Sequence, residues 1–216
     1  MSLTIREPGS ALTHFIAMLL ALCATAPLLV RAAVRSGPES LLAMSIFMCS
    51  MVLLYGASTA YHSVNVSGRI LRIFRKVDHM MIFVLIAGTY TPVCLLTLRG
   101  RQGDLLLAAV WGIALAGILI KACWITCPKW FSSVLYIAMG WACLSVFGQL
   151  WASLPRPAFF WLLAGGIIYT AGGVLYALKL PLFNTRHKFF GSHEIFHLFV
   201  MAGSLCHFIF MFHYVA

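Results

Sequence analysis

Seven apolar stretches of about 19 to 24 residues fill most of a 216-residue chain, and roughly 20 apolar residues are what one α-helix needs to cross a bilayer. Marking where charges, prolines and glycines interrupt them gives Leu12 to Val30, Ser40 to His62, Val77 to Leu98, Leu105 to Thr126, Phe131 to Ala152, Ala158 to Leu180 and Ser192 to Val215. A backbone in hydrocarbon must satisfy its own polar groups, so such stretches fold as helices. Only 9% of the residues are charged, against about 25% in a soluble domain. Soluble enzymes, secreted domains and disordered tails are thereby excluded. The expected fold is all-α, an integral membrane bundle of seven transmembrane helices forming one domain over residues 1–216.

The net charge of +10 does not point to nucleic acid, because the basic residues stand singly or in small groups between apolar runs. They read as topology signals. One set of alternate connections carries Arg6, Arg69, Arg72, Arg75, Lys76, Lys121, Lys129, Lys179, Arg186 and Lys188; the other carries Arg31, Arg35, Arg99, Arg101 and Arg156. The richer set includes the N-terminus, which is therefore expected in the cytoplasm, with the C-terminus extracytoplasmic. Ala24-Thr25-Ala26 is followed by Pro27, which disfavours cleavage, so the first run reads as a retained span. The seven cysteines lie mostly inside apolar runs and behave as small hydrophobes. Cys123 and Cys127 stand one helical turn apart, but Pro128 ends that turn, and no metal role is assigned to them. Gly165, Gly166, Gly172 and Gly173 repeat at seven-residue spacing, as at a close helix contact.

Residues that hydropathy alone would not tolerate converge at one depth. His62 ends the second helix, Asp78 opens the third, and His193 and His197 open the seventh, all on the side expected to be cytoplasmic. His193 and His197, four apart, stack on one helix face and suit a shared metal ion. With His62 they make three imidazoles and leave a fourth tetrahedral position for water, the pattern of a catalytic zinc site. Asp78 is placed to hold that water or take its proton, and Ser58, one turn before His62, to donate to an oxygen there. Taken singly, each has a plainer reading: an interfacial histidine, an aspartate paired with Lys76 or Arg75, a serine bonded to its own helix. His14, His79, His187, His207 and His213 are left in the interfacial class.

His193-Glu194-Ile195-Phe196-His197 also matches HExxH, in which Glu is the general base of zinc peptidases. Such enzymes take a third ligand from further along the chain. Here no acid follows Glu194, and His207 and His213 lie in or past the same helix. Glu194 instead suits a capping role at the helix start.

Ser58-Thr59-Ala60-Tyr61-His62, Asp78-His79, Ala87-Gly88-Thr89-Tyr90-Thr91-Pro92, Met139-Gly140-Trp141 and His193-Glu194-Ile195-Phe196-His197, followed by Gly203-Ser204 and His207-Phe208, resemble the haemolysin III branch of the progestin and adipoQ receptor family. The resemblance runs through the whole chain in order. It implies a seven-helix bundle with a cytoplasmic N-terminus and one zinc ion held by His62, His193 and His197, with the family's acid at Asp78 and its serine at Ser58. It further implies hydrolysis of a membrane lipid amide or ester, as in alkaline ceramidases. The family's lead-in of acid, Asn and His reads here as Glu7, Ser10 and His14; Ser10 departs from the pattern, and the three are assigned no role. The expectation is thus a zinc-dependent lipid hydrolase, with the bilayer as surroundings, a lipid as substrate and a kink at Pro92 opening an acyl cavity. The alternatives are a membrane sensor with a structural zinc, a haemolysin-type pore, or an intramembrane protease.

Overall fold

The computed structural model describes residues 5–178 and 190–216. It contains seven helices long and apolar enough to cross a membrane: α1 Pro8–Arg35, α2 Gly37–Ser63, α3 Gly68–Leu98, α4 Arg101–Cys123, α5 Trp130–Ser153, α6 Arg156–Leu178 and α7 Ser192–Val215. No strand is present among the described residues. Lys179, Leu180, Arg186, His187 and Lys188, which the sequence reading used, lie outside them, as does the side chain of Lys129.

The apolar side chains divide between two solvents. In the most apolar window of α2 and of α3, 50% and 56% of residues are buried, against 17% to 28% in α1, α4, α5 and α6. α2 and α3 are therefore central, and the outer helices turn residues such as Leu20, Val34, Leu119 and Leu178 outward. In water that exposure would be unfavourable at about 25 cal/mol per Å²; against lipid tails it costs nothing. Within the core, Phe47, Tyr55, Phe83 and Phe210 are almost wholly buried. α1 packs on α2 and α7, α2 on α3, α3 on α4, and α6 on α7, while α5 leans chiefly on α6.

The helices are longer than the apolar runs, and the additions are polar. α1 starts at Pro8, where a missing N–H costs nothing in the first turn, and α3 starts at Gly68, nine residues before the expected Val77. Arg69, Arg72, Arg75 and Lys76 thus ride on the first turns of α3. Hydropathy marks only the part of a helix that lies in hydrocarbon. α1 and α2 are joined by Ser36 alone, because Gly37 adopts φ +82 and reverses the chain there. α4 stops at Cys123, short of the expected Thr126, so Cys123 and Cys127 do not share a helix.

Three spans change their winding. Past Pro92, which cannot donate to the ladder, α3 continues as a π-helix over Val93–Leu98. α7 ends in a π-helix, Met211–Val215. α5 is interrupted by a 3-10 segment, Trp141–Val146. The glycine repeat does mark a close contact: a Cβ at Gly165 would strike the ring of His207, and one at Gly172 the side chain of Phe199, both on α7.

Candidate metal centre

The last turn of α2 and the first turns of α7 meet where α1 begins. His62 and His197 are each 2% exposed, and one ligand nitrogen from each of His62, His193 and His197 lies within 4.8 Å of the others. Two nitrogens bound to a tetrahedral zinc at about 2.0–2.1 Å stand about 3.3–3.4 Å apart. His62 Nε2 and His193 Nε2 are 3.3 Å apart. The three expected ligands are thus brought together as a group that could hold a metal ion, and the His62–His193 separation matches that of two nitrogens on one zinc.

The outer nitrogens strengthen that fit. His62 Nδ1 meets the carboxylate of Glu7, an arrangement that places the proton on Nδ1 and turns the Nε2 lone pair inward. His197 Nδ1 is 3.0 Å from Thr13 Oγ1. That hydroxyl donates to the carbonyl of Ser10 at 2.9 Å, so it accepts from His197, whose Nε2 is likewise left without a proton. The hydrogen bond from His62 holds the Glu7 carboxyl below its ordinary pKa, against burial, which would raise it; Arg6 adds its charge in the same direction. Arg6 also donates to the carbonyl of Tyr61 at 2.8 Å and lies over the Tyr61 ring, tying the start of α1 to the end of α2.

His14 does not belong in the interfacial class. It is 3% exposed, stacks on His197 with ring centroids 3.5 Å apart and planes 6° apart, and places Nδ1 2.7 Å from Ser58 Oγ. His207 is also buried, in the interior of α7. His79 is partly buried with Nδ1 2.9 Å from the carbonyl of Arg75, and His213 is exposed. Ser10 hydrogen-bonds to one oxygen of Glu194; the other accepts from the backbone N–H of Gly191 at 2.8 Å. Glu194 therefore caps α7 and binds α1 rather than facing the three histidines as a base.

Asp78, 8% exposed, has His79 Nδ1 3.3 Å from its carboxylate, while Lys76 reaches across to the carbonyl of Ala122. Asp78 does not join the histidine cluster directly. It borders, with Ser58, His14, His193 and His197, one cavity of about 200 Å³ that continues between α3, α5, α6 and α7 to Phe147, Leu150 and Phe159.

The capping role expected of Glu194 is the one it takes, whereas Thr13 was missed from the sequence and Glu7, Ser10 and His14 were left without a role, although these four hold or abut the histidines. Their signal was present: Glu7, Ser10 and His14 recur at three- and four-residue spacing, a polar stripe leading into an apolar helix.

Comparison with known proteins gives the same frame. Residues 3–208 match the family model described as Haemolysin-III related. The chain is similar to "Hemolysin-3" of Bacillus cereus, 36% identical over 210 residues that cover 97% of this chain and 91% of that protein. It is similar to the "Hemolysin-3 homolog" of Bacillus subtilis (strain 168), 38% identical over 202 residues, 93% of this chain and 91% of that one. The "Adiponectin receptor protein" of Drosophila melanogaster is 23% identical over 94% of this chain and 49% of its own length.

Proposed function

Since this chain belongs to the haemolysin III-related family of multi-pass membrane proteins, we propose that it is a zinc-dependent hydrolase of a membrane lipid amide or ester. One zinc ion is held by His62, His193 and His197. The observation that carries the reading is the shared cavity: two of the three ligands, His193 and His197, stand with Asp78 and Ser58 at one end of an apolar space that runs between the helices as a hydrocarbon chain would require. A purely structural zinc would require no such space beside it.

Zinc in this setting supplies a Lewis acid that polarises a carbonyl and makes a water acidic near neutral pH. The chain's own residues do the rest. Glu7 and Thr13 fix the rings of His62 and His197. Asp78, bordering the same space, takes the proton of the attacking water and passes it to the leaving group. When His14 donates from Nδ1, Ser58 accepts that bond and its own hydroxyl proton is released toward the substrate carbonyl. The apolar walls exclude bulk water and align the acyl chain. By the excess of basic residues on its connections, this end of the bundle faces the cytoplasm.

The test is turnover of defined lipid amides and esters by the purified protein in detergent, before and after chelation. Activity is expected to vanish with the metal and return with added zinc. Asp78→Asn is expected to lower turnover by about 10²-fold or more with metal content unchanged. Full turnover by Asp78→Asn or by His197→Ala rejects the proposal.

A further inference from the structure

The end of α4 and the start of α5 hold a group of buried polar side chains that lipid hydrolysis does not use. Lys121, in the last turn of α4, is almost wholly buried, with Cys127 and Ser132 buried beside it. Its Nζ lies 3.1 Å from Cys127 Sγ and also donates to Ser132 Oγ. Because Ser132 Oγ accepts from Lys121, its own proton is free to point at Cys127 Sγ, 3.2 Å away. The sulfur thus faces two donors, an arrangement that suits a thiolate better than a thiol, which is only a weak acceptor.

The charge count points the same way. The chain has five acids, Glu7, Glu39, Asp78, Asp104 and Glu194, and none of them forms an ion pair with Lys121. A buried ammonium without a counter-charge is strongly disfavoured. Of the two side chains that Lys121 hydrogen-bonds, only Cys127 can supply a negative charge. Burial would raise the pKa of that thiol, but hydrogen bonds from Ser132 and Lys121, with the charges of Lys121 and Arg75, outweigh it and lower it.

Cys127 also sits where an aqueous reagent arrives. It lies between the end of α4 at Cys123 and the start of α5 at Trp130, with Trp124 and Trp130 exposed as interfacial residues at the two ends of the connection. Thr126 and Pro128 on either side of it are exposed, while Cys127 itself is 7% exposed. So narrow an opening favours a small polar reagent over a bulky one.

We propose that Cys127 is a modification site for a small hydroperoxide, with Lys121 as the positioning residue that holds the thiolate and gives up a proton. The thiolate attacks one peroxide oxygen, the S–O bond forms as the O–O bond breaks, and the hydroxide released takes a proton from the Lys121 ammonium and leaves as water. The sulfur is oxidised by two electrons to the sulfenic acid, the peroxide is reduced by the same two, and Lys121 regains its proton from solvent. Nothing in this step depends on the metal centre or on lipid turnover.

The test treats the purified protein in detergent with hydrogen peroxide at neutral pH, in the presence of a cyclic diketone that captures sulfenic acids, and follows each cysteine peptide by mass spectrometry. Cys123, exposed at the end of α4, is the internal comparison. Cys127 is expected to lose its free thiol about tenfold faster than Cys123, since an ordinary thiol is only a few per cent thiolate near pH 7, and to carry the diketone adduct. Lys121→Met is expected to slow Cys127 about tenfold, and Lys121→Arg, which keeps the charge, to recover part of the rate. Looser packing alone would open the sulfur to solvent and speed its oxidation, the opposite sign. Equal rates at Cys127 and Cys123, a Cys127 rate undiminished in Lys121→Met, or loss of the Cys127 thiol without any adduct overturns the proposal. Should Lys121→Met not fold, the wild-type ratio of the two cysteines still decides.

Discussion

Replacing Glu7 by Gln tests the centre without touching a ligand. The wild-type carboxylate meets His62 Nδ1, a bond to a charged acceptor of about 1.5–3 kcal/mol, whereas the amide offers a neutral acceptor worth about 0.5–1.5 kcal/mol. The difference is about 1–1.5 kcal/mol. Glu7 is 43% exposed, so solvent screening moves the expectation to the lower end, about 1 kcal/mol. Zinc affinity should fall about fivefold. Thr13→Val should cost more, because His197 is 2% exposed and its Nδ1–H would lose its acceptor in a buried place, about 1–3 kcal/mol or about 5- to 150-fold. The assay is competition for zinc between the detergent-solubilised protein and a chromogenic chelator. If His62→Ala abolishes binding while both outer variants match wild type, Glu7 and Thr13 do not orient the rings. If the wild type itself takes up no metal, the centre is not a zinc site.

Other perturbations separate the remaining parts of the structure. Gly165→Ala should lower the midpoint of thermal inactivation, because its Cβ would strike the His207 ring; overpacking of this kind costs about 1–3 kcal/mol. Gly166→Ala, with nothing within 4 Å, should leave it unchanged, and equal effects would refute the contact. Cys127, in the connection between α4 and α5, is expected to be alkylated at lower pH than an ordinary thiol. Burial there would raise its pKa, but hydrogen bonds from Ser132 and Lys121, with Lys121 Nζ 3.1 Å from Sγ, outweigh it and lower it. The thiolate fraction at neutral pH is thus increased, and Lys121→Met should shift the alkylation profile upward by mass spectrometry. Chelation should lower the thermal midpoint and zinc restore it, since a ligand that binds only the folded chain stabilises it; an unchanged midpoint argues against a metal bridging α2 and α7.

The number of spans was legible because hydrocarbon imposes one requirement everywhere, about 20 apolar residues with internally satisfied backbone. What that requirement ignores was not legible. The nine residues from Gly68 to Lys76 are helical in α3 although four are basic, since beyond the hydrocarbon a helix needs only solvated side chains. Nor does composition reveal the 3-10 interruption at Trp141–Val146. Met139-Gly140-Trp141 marks the place, but the Tyr90 hydroxyl that accepts from Cys143 N and donates to the carbonyl of Gly140 comes from α3.

The three histidines could be gathered from sequence because each sits at a helix end, where depth follows from span order alone. His14 and His207 could not be placed that way. Each lies inside an apolar helix, where function depends on which face the residue occupies, and rotation about the axis follows only from packing against neighbours. α1 carries His14 inward because Ser10, Ala11, Ala17 and Ala21 are small enough to be buried beside it, bringing that helix close to α2 and α7. The same reasoning applies to Gly165, whose missing side chain is the space that His207 fills. In a membrane bundle, where polarity says little about which face is inside, small residues on one helix are thus a guide to where a polar side chain on the next is held.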